Sequence, residues 1–381
     1  MVFSAEHADP RLPELLADLE RLVCQESPSH DLAAVAASAE VVAALGEQRL
    51  GSPAERIVLE GRTHLRWRLG TGPRKVLLVG HHDTVWPIGT LQRLPWRVDA
   101  GVARGPGCFD MKAGLVQIFH ALRALPSHDG VTVLITGDEE IGSPTSRALI
   151  EEEARAVDAA FVLEASADGG ALKTRRKGVS RYELTVEGRA AHAGLEPERG
   201  VNAGVELATQ VLRIAGLDDP DLGTTVTPTA LSAGTTSNTV PAAARLAIDV
   251  RVPTLGEQRR VDKALHALRP ELAGASLRLD GGPNRPPLDA ASSAALFELA
   301  RGLHADLGYG ELAERAVGGA SDGNFTAGVG TPTLDGLGAV GGGAHADDEH
   351  VIIDQLVPRT DLLAALVDSV LSGRWTAGGT R

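Results

Sequence analysis

Three short apolar runs punctuate the first half of the chain: "KVLLVG" (75–80), "VTVLITG" (131–137) and "AAFVLEA" (159–165). Each is continuous rather than alternating, the pattern of strands buried on both faces. Around them, apolar residues recur at helical spacing in "DLAAVAASAEVVAAL" (31–45), "AGLVQIFHALRAL" (113–125) and "PTSRALIEEEARAVDAA" (144–160). "RIVLE" and "HLRWRL" add two more strands, the second alternating. This strand–helix alternation predicts an α/β fold with a mostly parallel sheet, flanked by helices and joined by right-handed crossovers.

The pattern changes near Gly178. "VSRYELTVEG" alternates like a half-buried strand, and "GVNAGVELATQVLRIA" (200–215) is helical. "TVTPTALSAG" and "AARLAIDVRV" read as a strand pair, "LGEQRRVDKALHALRPEL" (255–272) as a helix and "SLRLDG" as a last strand. That β-α-β-β-α-β order predicts a self-contained split βαβ (ferredoxin-like) unit. "GGPNRPPLD" (281–289) reads as its exit linker, after which helical and strand patterns resume through residue 372. The second domain, 178–284, is therefore expected as an insertion, with the first built from 1–177 and 285–381. A length of 381 residues, too much for one ordinary core, agrees with two domains.

Composition narrows the function classes. A formal charge of −13 argues against a nucleic-acid partner, which would need a basic face. No apolar stretch approaches the length of a membrane span. The opening "MVFSAEHADPRLPELL" has no basic segment followed by an apolar one, so a cytoplasmic location is expected. Cys24 and Cys108 cannot build a disulfide framework and are read as structural.

Ligands of open α/β sheets bind beyond the carboxyl ends of the strands, so polar residues there should converge. "GHHDTV" ends one predicted strand, "LITGDEEIGSP" another with Asp138, Glu139 and Glu140, and "FVLEAS" a third with Glu164. "RGPGCFDMKAG" (104–114) puts Asp110 just before a helix, and "GGGAHADDEH" (341–350) brings His345 and His350 after a glycine-rich loop. Taken singly, Asp110 is more often a helix cap, a Glu pair after a strand is usually solvated, and His345 is an ordinary loop residue. Taken together they form the imidazole–carboxylate mixture of a borderline metal such as zinc.

These five segments, in this order, resemble the co-catalytic zinc carboxypeptidase and deacylase family. That family includes glutamate carboxypeptidase, acetylornithine deacetylase, succinyl-diaminopimelate desuccinylase and aminoacylase. Glu164, where other branches carry Asp, points to the glutamate carboxypeptidase branch. The resemblance implies a zinc exopeptidase fold whose insert is a dimerisation domain. It implies two divalent ions per chain, zinc first with cobalt or manganese as substitutes, bridged by Asp110. His81 and Glu164 complete one site, Glu140 and His345 the other. The family's His-x-Asp pattern selects His81 over His82 and gives Asp83 the task of orienting its imidazole. Glu139 matches the general base.

The resemblance extends into the insert. "GRAAHAGLEPERGVNA" (188–203) makes His192 the residue that reaches a partner subunit's site in a homodimer. "GTTSNTVPAAARLAIDVRV" (234–252) supplies Asn238 and Arg251, the latter suited to a substrate carboxylate. "VGGASDGNFTAG" (317–328) resembles the loop lining the substrate pocket. An arginine some carboxypeptidases carry just ahead of it is Ala316 here, with Arg315 one place off, which weakens a strict glutamate preference. The implied activity is a dinuclear-metal amidohydrolase that releases an amino acid from a small peptide, with an N-acyl-amino-acid deacylase as the alternative. A catalytically silent binding scaffold is the rival from another class; the complete set of ligands with Glu139 and Asp83 speaks against it. A dinucleotide-dependent oxidoreductase needs a G-x-G-x-x-G run that "GPGCFD" does not provide.

Overall fold

The structure is a computed structural model that describes residues 9–377. Along the chain run α1 (Leu12–Val23), α2 (Leu32–Leu50), β1 (Glu55–Leu59), β2 (Arg62–Leu69), β3 (Val76–His81), α3 (Ala113–Ala124), β4 (Val131–Thr136), α4 (Arg147–Arg155) and β5 (Ala159–Val162). There follow β6 (Gly178–Glu187), α5 (Ala203–Ala215), β7 (Thr225–Ala233), β8 (Ala243–Val252), α6 (Leu255–His266) and β9 (Ser276–Arg285). The chain closes with α7 (Ala290–Asp306), α8 (Gly323–Gly328), β10 (Thr333–Leu334) and α9 (Leu356–Leu371). Two compact units result, one of Arg176–Pro287 with Gly318–Ala320, the other of the remaining residues. Among the described residues no helix is long and apolar enough to cross a membrane.

The larger unit is a six-stranded sheet in the order β1-β2-β4-β3-β5-β10. β4, β3, β5 and β10 are parallel, while β1 and β2 run antiparallel at one edge. Every residue of β3 is buried, as its unbroken apolar run requires. Val76 and Leu78 enter a core shared with α1, α2, α3, α7 and α9, and Leu77 and Val79 a second core with α4 and Phe325 of α8. The result is a three-layer α/β/α sandwich. Gly80 lets α3 press close, since a Cβ there would meet Leu115 Cδ2 at 2.6 Å. A separate ribbon joins Arg97–Asp99, Val102–Arg104, Gly341–Gly342 and His350–Ile352, pairing His350 with Arg104.

The smaller unit is an antiparallel sheet in the order β7-β8-β6-β9. Its core, including Leu184, Val186, Leu207, Ile248, Val250 and Val261, lies between the sheet and α5 and α6. In chain order this is β-α-β-β-α-β, the order the hydrophobic periods gave.

Several boundaries differ from the sequence reading, three of them for identifiable reasons. The expected linker 281–289 is strand as far as Arg285, which pairs with Val179. Gly281 and Pro283 are tolerated because β9 is an edge strand. The helix expected over 144–160 occupies Arg147–Arg155, because "VDAA" feeds β5. The helix of 255–272 ends at His266, ahead of Pro270 and the residue it restricts.

Candidate metal centre

β3, β4 and β5 run parallel, so the residues after each emerge at one edge of the sheet. His81 is the last residue of β3. Glu139 and Glu140 open a short turn, Glu139–Ile141, after β4. Glu164 lies just beyond β5. Gly114 draws the start of α3 against this strand end: a Cβ there would sit 2.1 Å from the Leu163 carbonyl oxygen.

Asp110 arrives differently. It lies in a wide turn, Cys108–Lys112, with non-helical φ −116° and ψ 96°, and the residue preceding α3 is Lys112. Asp110 is therefore not the helix cap that its place before a helix suggests. Its carboxylate faces two imidazoles instead. His345 comes from the loop between Gly342 and His350, with φ at 61°. A non-glycine residue in the left-handed region is costly, and such strain collects at functional sites. His350 is not part of the cluster; its Nδ1 bonds to the Asp348 carbonyl at 2.9 Å.

Two groups of side chains form. His81, Asp110 and Glu164 bring one ligand atom each within 4.8 Å of one another, and so do Asp110, Glu140 and His345. Asp110 belongs to both. Its Oδ1 lies 3.3 Å from His81 Nε2 and its Oδ2 lies 3.3 Å from His345 Nε2. His81 Nε2 is 3.6 Å from Glu164 Oε1, and His345 Nε2 is 3.2 Å from Glu140 Oε2.

Divalent cations fit this set. His81 Nδ1 lies 2.9 Å from the Asp83 carbonyl, an acceptor, so Nδ1 carries the proton and Nε2 presents a lone pair. That lone pair faces carboxylates only. His81 Nε2 and Glu140 Oε1 are buried and make no hydrogen bond. Buried acceptors converging on acceptors need a positive charge between them. Without one, protons take its place: the Asp110 and Glu140 carboxylates push His345 up to about 10. Burial opposes a charge on His81, but Asp110 and Asp83 outweigh it and hold His81 well above the ordinary histidine value. Burial raises Glu140. Cation binding at such a site is therefore coupled to proton release.

Asp83 is buried and does more than face His81. Its Oδ1 accepts the Glu139 N–H at 3.2 Å; its Oδ2 accepts the Glu140 N–H at 3.3 Å and the Ser29 hydroxyl at 2.7 Å. Its carboxylate is 3.5 Å from His81 Nδ1, farther than its own carbonyl. His82, adjacent to the cluster, turns away: its Nε2 is 3.0 Å from the Thr63 carbonyl, and burial pushes it down to about 4.

His192, Asn238 and Arg251 belong to the smaller unit. His192 is exposed and its Nδ1 accepts the N–H groups of Gly194 and Leu195, both at 3.1 Å. Ala193 N–H bonds to the Asn238 carbonyl at 2.9 Å, which keeps the His192 and Asn238 loops together. Arg251, on β8, grips Asp249 with Nε at 2.7 Å and Nη2 at 3.0 Å. Arg315 donates to the Glu314 carbonyl at 3.0 Å.

The sequence reading missed Glu349, a buried carboxylate beside the Asp110 turn. It is one of three consecutive acids in "DDE", and nothing in their spacing marks which one folds inward.

Residues 77–369 match the model of Peptidase family M20/M25/M40. The chain is 33% identical over 286 residues to carboxypeptidase G2 of Pseudomonas sp. (strain RS-16), covering 73% of this chain and 69% of that protein. It is 27% identical over 300 residues to succinyl-diaminopimelate desuccinylase of Stutzerimonas stutzeri (strain A1501), covering 72% and 77%. Its fold matches the M20 family metallo-carboxypeptidase Sso-CP2 of Sulfolobus solfataricus with a TM-score of 0.72 at 18% identity, over 96% of this chain and 100% of the other. The chain belongs to the M20/M25/M40 peptidase family, the carboxypeptidase and deacylase family its five segments resemble, and is a metal-dependent hydrolase.

Proposed function

We propose that this protein is a two-ion amidohydrolase of the glutamate carboxypeptidase kind, releasing an amino acid with a free carboxylate from a small peptide. The observation that carries the reading is the shared carboxylate: Asp110 turns one oxygen to His81 and the other to His345, each at 3.3 Å. His81, Asp110 and Glu164 would hold one ion, and Asp110, Glu140 and His345 the other. Divalent ions there, zinc in our reading, supply Lewis acidity that polarises a scissile carbonyl and makes water more acidic.

The chain's own groups do the rest. Glu139 takes the proton of the attacking water and returns it to the nitrogen of the departing amine. Asp83 fixes both the His81 ring and the backbone from which Glu139 projects. In our reading the chain acts as a homodimer in which His192, delivered with Asn238 by the partner subunit's insert, donates to the tetrahedral oxyanion. Arg251 pairs with the substrate's α-carboxylate. Asp249, which it grips in this structure, keeps its guanidinium plane fixed.

An N-acyl-amino-acid deacylase is the second reading, favoured by the match to succinyl-diaminopimelate desuccinylase and by Ala316 where a carboxypeptidase arginine is expected. The deciding experiment is a hydrolysis screen of dipeptides and N-acyl amino acids ending in Glu, Asp, Ala, Leu or Lys, each as free acid and as amide. A carboxypeptidase cuts the free-acid peptides and spares the amides, and Arg251→Ala blurs that distinction. Preference for acyl over peptidyl substrates selects the deacylase. Equal cleavage of acids and amides removes the carboxylate-binding role.

A further inference from the structure

Glu349 stands four residues beyond His345 and belongs to neither cluster. Its carboxylate, 3% exposed, collects four N–H groups. Oε2 accepts from the Trp86 indole and the Gly107 backbone, both at 2.8 Å; Oε1 accepts from Phe109 at 2.9 Å and Asp110 at 3.0 Å. A carboxylate has about four acceptor positions, and here all are used. The donors come from the stretch after β3 and from the turn that carries Asp110, while Glu349 itself ends the loop that carries His345.

The four remaining ligand positions are not equally supported. His81 and Glu164 leave the ends of parallel strands, and Glu140 sits on a turn fixed by Asp83. His345 comes from a loop in which the Ala346 N–H bonds to Gly343 and the Glu349 N–H to Ala346, both at 2.9 Å, with Arg104 reaching the Asp348 carbonyl at 3.0 Å and Arg93 pairing with Asp347 at its exposed side. Glu349 thus ties the backbone of Asp110 to the far end of the His345 loop. Two of the three ligands in the Asp110–Glu140–His345 cluster depend on that tie. Only one depends on it in the His81–Asp110–Glu164 cluster.

We propose that Glu349 is a positioning residue that sets the gap between Asp110 and His345, and so governs cation affinity at the second cluster far more than at the first. The inference rests on the two-ion reading above. Glu349→Gln keeps the volume but turns one of the two acceptor oxygens into a donor facing two N–H groups, so the loop and the turn lose half of their common anchor. Outer partners of metal ligands typically alter affinity ten- to hundredfold, and we place that loss on one ion of the two.

The test is a titration of ion-free protein with zinc against a chromophoric chelator. It compares wild type, Glu349→Gln, Trp86→Phe and, as a control, Glu153→Gln, which weakens the pairing of the buried Glu153 carboxylate with Arg66 and the exposed Arg68 elsewhere in the unit. Wild type and Glu153→Gln should take up two ions with the same affinities. Glu349→Gln should keep the tighter ion within a few-fold and bind the other roughly ten- to hundredfold more weakly. Trp86→Phe, which removes one of the four donors, should fall between them, and it carries the test if Glu349→Gln does not fold. Two ions equally weakened, or neither weakened, overturns the proposal. A wild-type protein that takes up fewer than two ions overturns the two-ion reading, and the proposal with it.

Discussion

The Asp83 carboxylate accepts the backbone N–H of Glu139 at 3.2 Å. With its other oxygen it holds the Glu140 N–H and the Ser29 hydroxyl, and with its carbonyl it orients His81. One residue therefore registers the proposed imidazole ligand His81, the proposed carboxylate ligand Glu140 and the proposed general base Glu139. Asp83→Ala strands two N–H donors, each unsatisfied buried group costing about 1–3 kcal/mol. Turnover should fall roughly ten- to hundredfold with partial loss of metal. Ser29→Ala removes one donor and leaves both backbone N–H donors on the Asp83 carboxylate, so it should cost only a few-fold. Turnover and metal content of the two variants make the comparison; equal losses would show that the amide contacts do not matter.

Glu139→Gln preserves shape and deletes the proton acceptor. Turnover should drop by roughly 10² to 10⁴ with metal content unchanged. Glu140→Gln should instead lose metal, because its Oε2 faces the His345 ring. Single-turnover rates measured beside metal analysis separate the two effects. A Glu139→Gln variant near wild-type turnover would move the general base elsewhere.

His82 predicts a pH dependence of stability. Burial lowers it from 6.5 to about 4, so the folded chain binds its proton more weakly than the unfolded chain does. Between those values the unfolded state takes up the extra proton, and stability falls as pH drops from 6.5 toward 4. At about 1.4 kcal/mol per pKa unit the loss approaches ~3 kcal/mol. His82→Gln keeps an N–H for the Thr63 carbonyl and does not titrate. Urea unfolding of ion-free wild type and variant at pH 7 and pH 4.5 should show the wild type losing more stability. Parallel losses would mean that His82 charges freely in the fold.

His192 predicts complementation between subunits. His192→Ala and Glu139→Ala should each be inactive alone. Refolded together with free exchange, half the dimers are mixed and half of their sites intact, so roughly a quarter of wild-type activity should return. Confirmed dimers with no recovery would place His192 within its own chain's chemistry or outside it.

Strand-end chemistry was the legible part of this sequence. A run such as Val76–Val79 fits only a strand buried on both faces, so His81 had to emerge at the carboxyl edge, and Glu140 and Glu164 follow by the same reasoning. Asp110 and His345 end no strand of the main sheet; residue type alone grouped them with the others, and the family resemblance supplied their positions in the ligand set. The hidden part is backbone path. That Asp110 sits in a wide turn rather than at a cap, that Asp83 meets His81 through its carbonyl, and that Glu349 folds inward while Asp347 and Asp348 stay exposed all depend on loop conformation. Side-chain period carries no information about it. Gly281 and Pro283 misled for a related reason, since they signal a turn unless the strand lies at an edge, and edges are set by pairing with distant residues.

The pairing of Val179 with Arg285 brings the two ends of the inserted segment side by side. Paired strands lie about 5 Å apart, so a folded insert is, for the rest of the chain, a short bend. Closing a flexible loop of roughly 110 residues instead of a handful costs ~2.5 kcal/mol more, at about 0.6 kcal/mol per doubling. During synthesis the insert is complete before β10 and α9 leave the ribosome. A segment that folds on its own at that moment removes this entropy from the search by which β10 finds β5 and α9 finds α3, and by which His345, near the end of the chain, is brought to Asp110.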